Sequence, residues 1–488
     1  MQDVITESTI ESMLTAFPVP ESEWWQWRND ARMNTAGVRA DRNLINGALY
    51  IDAVSRQELI DRSKDITGLD NPNSVQQLLP WLCKHAGHDI PNLQKATIAD
   101  ELEKDIPDDV RKILLIRQQL GKTSVKKYAA MSASMGSADR IRGISQFYGA
   151  NRTGRWSGRL VQLQNLPRNY IKTLSGARNL VKLGNYEGVK MIYGNIPDTL
   201  SQLIRTAFIP EEGCKLIVAD FSAIEARVIA WLAGETWANE VFATHGKIYE
   251  ATASQMFHVP VEKIVKGNPE YALRQKGKVA TLALGYQGSP NALVSQGALK
   301  MGLTEEELPE IVEKWRASNP HIVDMWRKLE QAAVHVVKYG EPLSLYGLTM
   351  RLEGDLRYGH VYLTVELPSG RKLFYVKPFI KENKFGKQAV HFYGVGVNKK
   401  WHPDSTYGGK LTENIVQAIA RDCLAVTIRR LVEMGHKIVF HVHDEVIIEA
   451  PVNVTVKDIT DVMAMPISWA PGLVLKGAGF ECKFYQKD

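Results

Sequence analysis

The stretch Ile438-Val439-Phe440-His441-Val442-His443-Asp444-Glu445-Val446-Ile447-Ile448 places a charged tripeptide between two apolar runs. Apolar runs of this length around a short polar tip predict a buried β-hairpin. Charged side chains at such a position are costly unless they are paired or have a function. A solvated β-turn would also carry an aspartate at its tip, but the apolar flanks favour a site built from His443, Asp444 and Glu445.

A second apolar run, Leu216-Ile217-Val218-Ala219, ends at Asp220 and leads into a predicted helix that contains Glu225. Carboxylates at strand ends can share two divalent cations, which stabilise the attacking and the leaving oxygen of a phosphoryl transfer. Glu225 has a simpler interpretation too, because Ser222 and Glu225 match the S-x-x-E capping box. For Asp220, a second helix cap is the alternative.

One stripe of a predicted helix combines cations with an aromatic ring. Its members recur at intervals of four residues, and they are Arg274, Lys278, Leu282 and Tyr286. Cations at one end and a ring at the other suit a triphosphate and a base pair. An ordinary amphipathic helix would show the same spacing, so the stripe alone leaves both interpretations open.

Length, charge and cysteine content are those of an ordinary globular protein. The 488 residues suffice for about three domain-sized units. A net charge of +6 is too small to indicate a polyanionic partner. The four cysteines are far apart and form no CxxC pair, which argues against a disulfide framework or a structural zinc site. No signal peptide and no apolar run of about 18 residues is visible, so we expect a cytoplasmic protein without a membrane partner.

Two segments have a strongly basic composition. Residues 111–127 contain six cations and no acid, and either a solvated helix face or a phosphate contact explains them. Residues 371–401 contain eight cations, one acid and several aromatic residues. We interpret the second segment as a β-rich insertion that touches nucleic acid, and a merely solvated sheet is an equal alternative.

These residues together resemble DNA polymerase family A, the class of bacterial DNA polymerase I. Motif A is similar to Asp220-Phe221-Ser222-Ala223-Ile224-Glu225-Ala226-Arg227, motif B to residues 274–286 and motif C to His443-Asp444-Glu445. The family's primer-binding segment is similar to Thr153-Gly154-Arg155 and Gln164-Asn165-Leu166-Pro167. The matches occur in the family's order and cover roughly Met33 to the C-terminus. Leu284-Gly285-Tyr286-Gln287-Gly288 is more similar to phage or prophage members than to bacterial repair enzymes.

The resemblance implies an α+β fold, namely a right-hand polymerase with a thumb, a palm on an antiparallel sheet and helical fingers. The implied segments, in chain order, are an N-terminal remnant or extension (1–32), a palm-connecting helical region (33–95), the thumb and primer-binding segment (96–170), the palm with motif A (171–240), the fingers with motif B (241–340) and the palm with motif C (341–488), which includes a β-rich insertion (360–401).

At the reacting centre, the resemblance implies that Asp220 and Asp444 hold two Mg²⁺ ions, for which Mn²⁺ can substitute. The backbone carbonyl of Phe221 is implied as a further metal ligand and Glu445 as a supporting carboxylate. Lys278 is placed to protonate the departing pyrophosphate.

Further roles concern the nucleotide and the DNA. Arg274 and Lys278 would neutralise the triphosphate, Tyr286 would pack at the nascent base pair, and Glu225 would block a ribose 2′-hydroxyl. The expected DNA contacts are Arg155, Gln164, Asn165, Gln417 and His443, with Lys122 and Lys126 on phosphates. The chain departs from the family at four positions, where relatives usually have another residue: Leu282 for an aromatic, Tyr249 for histidine, Gly409 for arginine and Glu413 for asparagine.

The sequence therefore predicts a template-directed DNA polymerase that adds deoxynucleotides to a primer 3′ end. Residues 1–32 are too short for a proofreading domain, so we expect no 3′–5′ exonuclease in this chain. The alternatives are a catalytically inactive DNA-binding relic, a single-subunit RNA polymerase and a metal nuclease. Expected partners are primer–template DNA, deoxynucleoside triphosphates and a separate processivity or exonuclease protein, and we expect a monomer.

Overall fold

A computed structural model of the chain describes residues 2–15, 17–355, 360–383, 385–396 and 398–487. The α-helices are α1 (Gln2–Leu14), α2 (Glu21–Ala36), α3 (Arg42–Thr67), α4 (Val75–Ala86), α5 (Lys95–Leu102), α6 (Asp108–Leu120), α7 (Lys126–Ser134), α8 (Leu174–Lys182), α9 (Tyr186–Tyr193), α10 (Ile196–Leu203), α11 (Ile224–Ala233), α12 (Thr236–Ala243), α13 (Ile248–Phe257), α14 (Leu273–Leu284), α15 (Pro290–Ser295), α16 (Leu308–Ser318), α17 (Pro320–Tyr339), α18 (Gly408–Glu433) and α19 (Val456–Ala464). The strands are β1 (Val38–Arg39), β2 (Arg140–Ile141), β3 (Ser145–Ala150), β4 (Arg155–Gly158), β5 (Cys214–Phe221), β6 (Leu343–Leu345), β7 (Leu348–Asp355), β8 (His360–Glu366), β9 (Lys372–Glu382), β10 (Gln388–Val395), β11 (Trp401–Ser405), β12 (Ile438–Val442), β13 (Glu445–Pro451) and β14 (Gly477–Cys482). The mixture of helices and antiparallel sheets is the predicted α+β class.

A four-stranded antiparallel sheet, which we call the central sheet, has the order β12-β13-β5-β14. It contains the predicted hairpin as β12 and β13, and β13 pairs with β5 so that Glu445 lies opposite Asp220. Along β5, Leu216 and Val218 belong to one hydrophobic core and Ile217 belongs to another. The strand therefore buries both of its faces, which explains why its sequence is continuously apolar.

A six-stranded antiparallel sheet, which we call the large sheet, has the order β11-β10-β9-β8-β7-β6. It extends from Leu343 to Ser405, so it begins well before residue 360, where we expected the β-rich insertion to start. Its inner face packs Leu363, Tyr375 and Phe392 into the core that α17 and α18 share. Two cations of the segment 371–401, which was predicted to touch nucleic acid, already have acidic partners. Arg371 pairs with the buried Asp422 at 2.8 Å, and Lys372 pairs with Glu353 at 2.7 Å. Lys384 lies outside the described residues.

Two predicted segment boundaries fall inside packed units. Helix α2 continues across residue 32, and its Glu23 forms a buried ion pair with Arg421 of α18 at 2.7 Å. One face of α2 is therefore packed against the body of the protein within the predicted remnant, with Glu23, Gln26, Asn29 and Asp30 buried. Leu59 and Leu82 share a third core with Val110, from the other side of the boundary drawn at residue 95.

None of the helices in the described part of the chain combines the length and the apolar character that crossing a bilayer requires.

Candidate active site

Two aspartates meet where the central sheet ends. Asp220 lies near the end of β5, and Asp444 occupies the turn between β12 and β13. The backbone N–H of Phe221 donates to the carbonyl oxygen of Asp444 at 3.2 Å, which fixes the turn against β5. Backbone conformations of positive φ flank both residues, 56° at His443 and 53° at Ala223. Such conformations are unfavourable for side chains other than glycine, and they are found disproportionately at functional sites.

The electrostatics of this pair favour a bound cation. Burial, and next the negative charges of Asp444 and Glu445, raise the pKa of Asp220. Burial likewise raises the pKa of Asp444. The Oδ1 atom of Asp220 is buried, and no described residue hydrogen-bonds to it. An unpartnered carboxylate oxygen beside a second carboxylate is a fitting donor set for Mg²⁺, which prefers oxygen ligands and retains open positions for substrate and water.

The C-terminal segment engages both carboxylate oxygens of Glu445. Its Oε1 accepts a hydrogen bond from the Tyr485 hydroxyl at 2.7 Å, and its Oε2 lies 3.3 Å from the Lys487 ammonium. Accordingly, the described residues contain no group of three or more His, Cys, Asp or Glu side chains arranged for a metal. Metal binding at this site would therefore depend on the two aspartates and backbone oxygens such as the carbonyl of Phe221.

Glu225 connects three of the predicted site segments. Its Oε1 accepts from Arg155 Nη2 at 2.6 Å, and its Oε2 accepts from the Tyr286 hydroxyl at 2.5 Å. The capping-box interpretation of Glu225 was wrong. Helix α11 begins after Ala223 in a left-handed conformation, without a side-chain cap, and the carboxylate turns towards β4 and α14 instead.

A cavity of about 310 Å³ opens beside this cluster. Its walls include Glu225, Tyr249, Leu282, Tyr286 and Asp444. The predicted helix stripe thus faces the cavity at its last two members, Leu282 within α14 and Tyr286 just beyond its end. A pocket whose walls combine two carboxylates with an aromatic ring has a composition that suits a polar, ring-containing ligand such as a nucleotide.

The two cations of the stripe, Lys278 and Arg274, lie one and two turns before Leu282, towards the N-terminus of α14. Neither belongs to the walls of the cavity. Lys278 is half-buried, and it has no ion-pair or hydrogen-bond partner among the residues that the structure describes. Arg274 is occupied, because its Nε donates to Glu250 Oε1 at 2.7 Å and its guanidinium lies 5.4 Å from the Tyr249 ring centre. The close approach of α13 to α14 requires Gly277, where a Cβ would lie 2.2 Å from the Tyr249 carbonyl oxygen.

The predicted DNA-contacting residues differ in their exposure and in their partners. Arg155, in β4, reaches the cluster directly through Glu225. Gln164 has a buried Oε1 that lacks a described partner, whereas Asn165 and His443 are exposed. Gln417, on α18, donates to Glu413 at 3.2 Å.

The basic segment 111–127 is mostly engaged within the protein. Arg111 donates to the carbonyl oxygens of Leu102 and Lys104, and Lys122 forms an ion pair with Asp198. Lys126 is exposed and has no ion-pair partner among the described residues. Of the two lysines predicted to contact phosphates, only Lys126 has an uncompensated charge.

Two residues that contact Glu445 were not found from the sequence. Tyr485 and Lys487 belong to no recognisable motif, and only chain folding brings the C-terminal segment beside Glu445.

Packing explains why glycine occurs at position 409. A Cβ there would lie 2.4 Å from the Tyr286 carbonyl oxygen and would push α18 off the end of α14. Burial, and next the charge of Glu225, raise the pKa of the neighbouring Glu413.

Several known proteins are similar to this chain. A family model described as DNA polymerase family A matches residues 53–343. A DNA polymerase of Bacillus phage SP02 is 51% identical over 491 residues, which cover 100% of this chain and 74% of the phage protein. The thermostable DNA polymerase I of Thermus aquaticus is 26% identical over 264 residues, which cover 53% of this chain and 25% of the Thermus protein.

Among solved structures, the chain is similar to the POL domain of Pol1 from M. smegmatis in complex with DNA primer-template and dNTP. The TM-score is 0.60 at 19% identity, and the match covers 94% of this chain and 69% of that chain. At this identity the likeness shows the fold alone, which is the right-hand polymerase fold that the sequence predicted.

Proposed function

The chain belongs to DNA polymerase family A, whose activity is template-directed DNA synthesis, and from this premise we propose that it extends primer 3′ ends at the site of Asp220 and Asp444. The observation that carries the proposal is the proximity of these two half-buried carboxylates, one of whose oxygens has no described partner. Burial opposes the ionisation of both groups, so positive charge supplied between them would favour the ionised pair.

We propose that two Mg²⁺ ions supply this charge, with Asp220, Asp444 and the Phe221 carbonyl as protein ligands and with Mn²⁺ as a substitute. Bound there, the cations would activate the primer 3′-hydroxyl and stabilise the oxygen that leaves with pyrophosphate. Glu445 serves as a support rather than a ligand, because Tyr485 and Lys487 already hold its two oxygens. Lys487 in turn contributes positive charge near both aspartates.

The remaining side chains bind and orient the substrate. Lys278 has no partner among the described residues, so its ammonium group can meet a triphosphate at once and donate a proton to the departing pyrophosphate. Arg274 first has to exchange its bond to Glu250 for one to a phosphate oxygen. Glu225 and Tyr286 form the wall against which the sugar and the base would lie, and Leu282 extends this wall.

Primer–template DNA would lie along Arg155, Gln164, Asn165, Gln417 and His443, with Lys126, and more weakly the paired Lys122, on the phosphate backbone. Arg155 and Gln417 would read the minor groove, where all Watson–Crick pairs present acceptors at similar positions. We further propose that the described residues contain no proofreading exonuclease and that the protein acts as a monomer, together with a separate processivity or exonuclease partner.

The test is primer extension by Asp220→Ala and Asp444→Ala, with Glu481→Gln as the control, since Glu481 lies on the same sheet and is exposed. Each aspartate variant should retain less than about 1% of wild-type extension, because a lost metal clamp costs several kcal/mol of transition-state stabilisation. Their affinity for primer–template, measured by fluorescence anisotropy, should stay near wild type, because phosphate contacts dominate DNA affinity. Counting bound Mn²⁺ by electron paramagnetic resonance reports the metal site independently of activity. Extension above that level in either variant contradicts the assignment.

A further inference from the structure

The outer face of the large sheet carries a ladder of four aromatic rings that belongs neither to the core nor to the candidate active site. By strand register, His391 lies opposite Phe379, and Val395 lies opposite Trp401. Ring centres are 5.4 Å apart for Phe379 and His391, 5.9 Å for Phe379 and Tyr393, and 6.3 Å for Tyr393 and Trp401. The rings of the last pair are nearly parallel, with 15° between their planes.

Internal packing explains only part of this face. Cross-strand aromatic pairs do stabilise sheets, which is a sufficient reason for Phe379 and His391. The other half of the same face is closed by Phe17, which packs edge-on against Tyr362 and Phe374 at 5.2 and 5.4 Å. Trp401, in contrast, is 55% exposed on an edge strand whose residues are all exposed. Its ring and that of Tyr393 end the ladder in solvent.

The positive charge around the ladder favours an anionic ligand. Lys381 shares the outer face by its register opposite Ala389, and Lys399 and Lys400 lie in the turn next to Trp401. No acidic side chain among the described residues pairs with any of these three lysines. The nearby Asp404 is already neutralised by Lys410 at 2.9 Å.

The chain connects this ladder to the candidate active site. Strand β11 continues through Thr406 and Tyr407 into α18, where the N–H of Gly409 donates to Gln287 Oε1 at 3.0 Å, beside Tyr286. The ladder begins at His391, beside the end of β11 that leads into α18. From there it extends away from the site over about 13 Å, the rise of four strand residues.

We propose that this ladder, defined by Phe379, His391, Tyr393 and Trp401, binds single-stranded DNA, namely the unpaired template strand next to the active site. Rings stack on bases only when the base faces are free, as they are in a single strand, and unpaired lysines nearby attract its phosphates. The name "template" rests on the proposed polymerase function, whereas the affinity for a single strand does not.

The experiment measures binding of the full chain to a fluorescent dT20 oligonucleotide and to a blunt duplex by anisotropy. Two variants remove the end of the ladder, Tyr393→Ala/Trp401→Ala and Tyr393→Leu/Trp401→Leu, and the second keeps apolar bulk on the sheet. The matched control is Trp24→Ala/Trp27→Ala, an exposed ring pair 5.7 Å apart on α2, whose first turn is acidic. Both ladder variants should bind dT20 at least about tenfold more weakly. The control should bind dT20 like wild type, and duplex affinity and extension over a one-nucleotide overhang should be unchanged.

Unchanged dT20 affinity in the Leu variant overturns the proposal, and so does an equal loss of duplex affinity, which would indicate a contact with paired DNA. A loss confined to dT20 supports the single-strand surface even if the wild-type chain fails to extend primers. In that case the proposed polymerase site, and not the ladder, would be at fault.

Discussion

Removing the Glu225 carboxylate should change which sugar the polymerase accepts. Glu225 lines the cavity beside Tyr286, and its two oxygens accept hydrogen bonds from Arg155 at 2.6 Å and from Tyr286 at 2.5 Å. These two bonds fix the carboxylate in place, so that it forms a rigid wall rather than a mobile side chain. We therefore expect this wall to exclude a 2′-hydroxyl by shape.

Two magnitudes follow for Glu225→Ala. A hydrogen bond to a charged group contributes about 1.5–3 kcal/mol, and the 37% exposure of the Glu225 side chain reduces the value for the Arg155 pair to about 1 kcal/mol. The free energy of unfolding should therefore fall by about 2.5–4 kcal/mol in total. Discrimination against one added atom by shape amounts to about 10- to 200-fold, so the preference for deoxyribonucleotides should relax by at least about tenfold.

The assay is kcat/KM for a ribonucleotide and the matching deoxyribonucleotide in wild type, Glu225→Ala and Glu225→Gln. Glutamine retains the size and can still accept from Arg155, so it should keep most of the sugar preference and lose only about 1 kcal/mol of stability. If Ala leaves the preference unchanged, Glu225 does not face the sugar. If Gln relaxes the preference as much as Ala, charge rather than shape performs the selection.

Three other predictions rest on the site. Leu282, 48% exposed in the cavity wall, offers no polar atom to a sugar that lacks its 3′-hydroxyl, so Leu282→Tyr should accept dideoxynucleotides at least about tenfold more readily, whereas Leu282→Phe should not. Equal chain-termination frequencies for Tyr and Phe would show that the hydroxyl has no partner there. In Mg²⁺ the chain should not shorten a primer with a mismatched 3′ end, and excision that survives Asp444→Ala would reveal a nuclease site elsewhere. Burial raises the pKa of Asp220 above its unfolded value, so its ionisation opposes folding increasingly as the pH rises from the unfolded pKa towards the folded one. In EDTA at pH 7, Asp220→Asn should thus have a higher Tm than wild type, and the difference should vanish near pH 3. Added Mg²⁺ should make wild type the more stable of the two proteins. A lower Tm of Asp220→Asn in EDTA at pH 7 would contradict the raised pKa.

Much of the site could be predicted because its members are close in sequence or follow regular periodicities. The hairpin around Asp444 appeared as two apolar runs, and the register of α14 appeared in the spacing of Leu282 and Tyr286, both of which line the cavity. The capping box failed for a specific reason. The local pattern of Ser222 and Glu225 competes with two stronger partners, Arg155 and Tyr286, which are 70 and 61 residues distant.

Segment boundaries were harder to predict than motifs. The boundary at residue 32 cut helix α2, because the buried pair of Glu23 and Arg421 joins residues 398 positions apart, and no local pattern records such a contact. The basic composition of residues 371–401 likewise did not distinguish Arg371, buried against Asp422, from the unpaired Lys381. Composition counts charges, whereas only the fold decides which charges are neutralised.

The sequence by itself determined the family, the strands that present Asp220 and Asp444, and the helix stripe, because apolar periodicity and motif order are local properties of the chain. Only the tertiary structure decided the state of each group at the site. Glu445 is held by Tyr485 and Lys487, and Arg274 is engaged by Glu250, whereas the Oδ1 atom of Asp220 and the ammonium group of Lys278 have no partner among the described residues. The physical reason is that ionisation, hydrogen bonding and exposure depend on the distances between groups that are remote in sequence. Those distances are set when the central sheet, α14 and the C-terminal segment pack together.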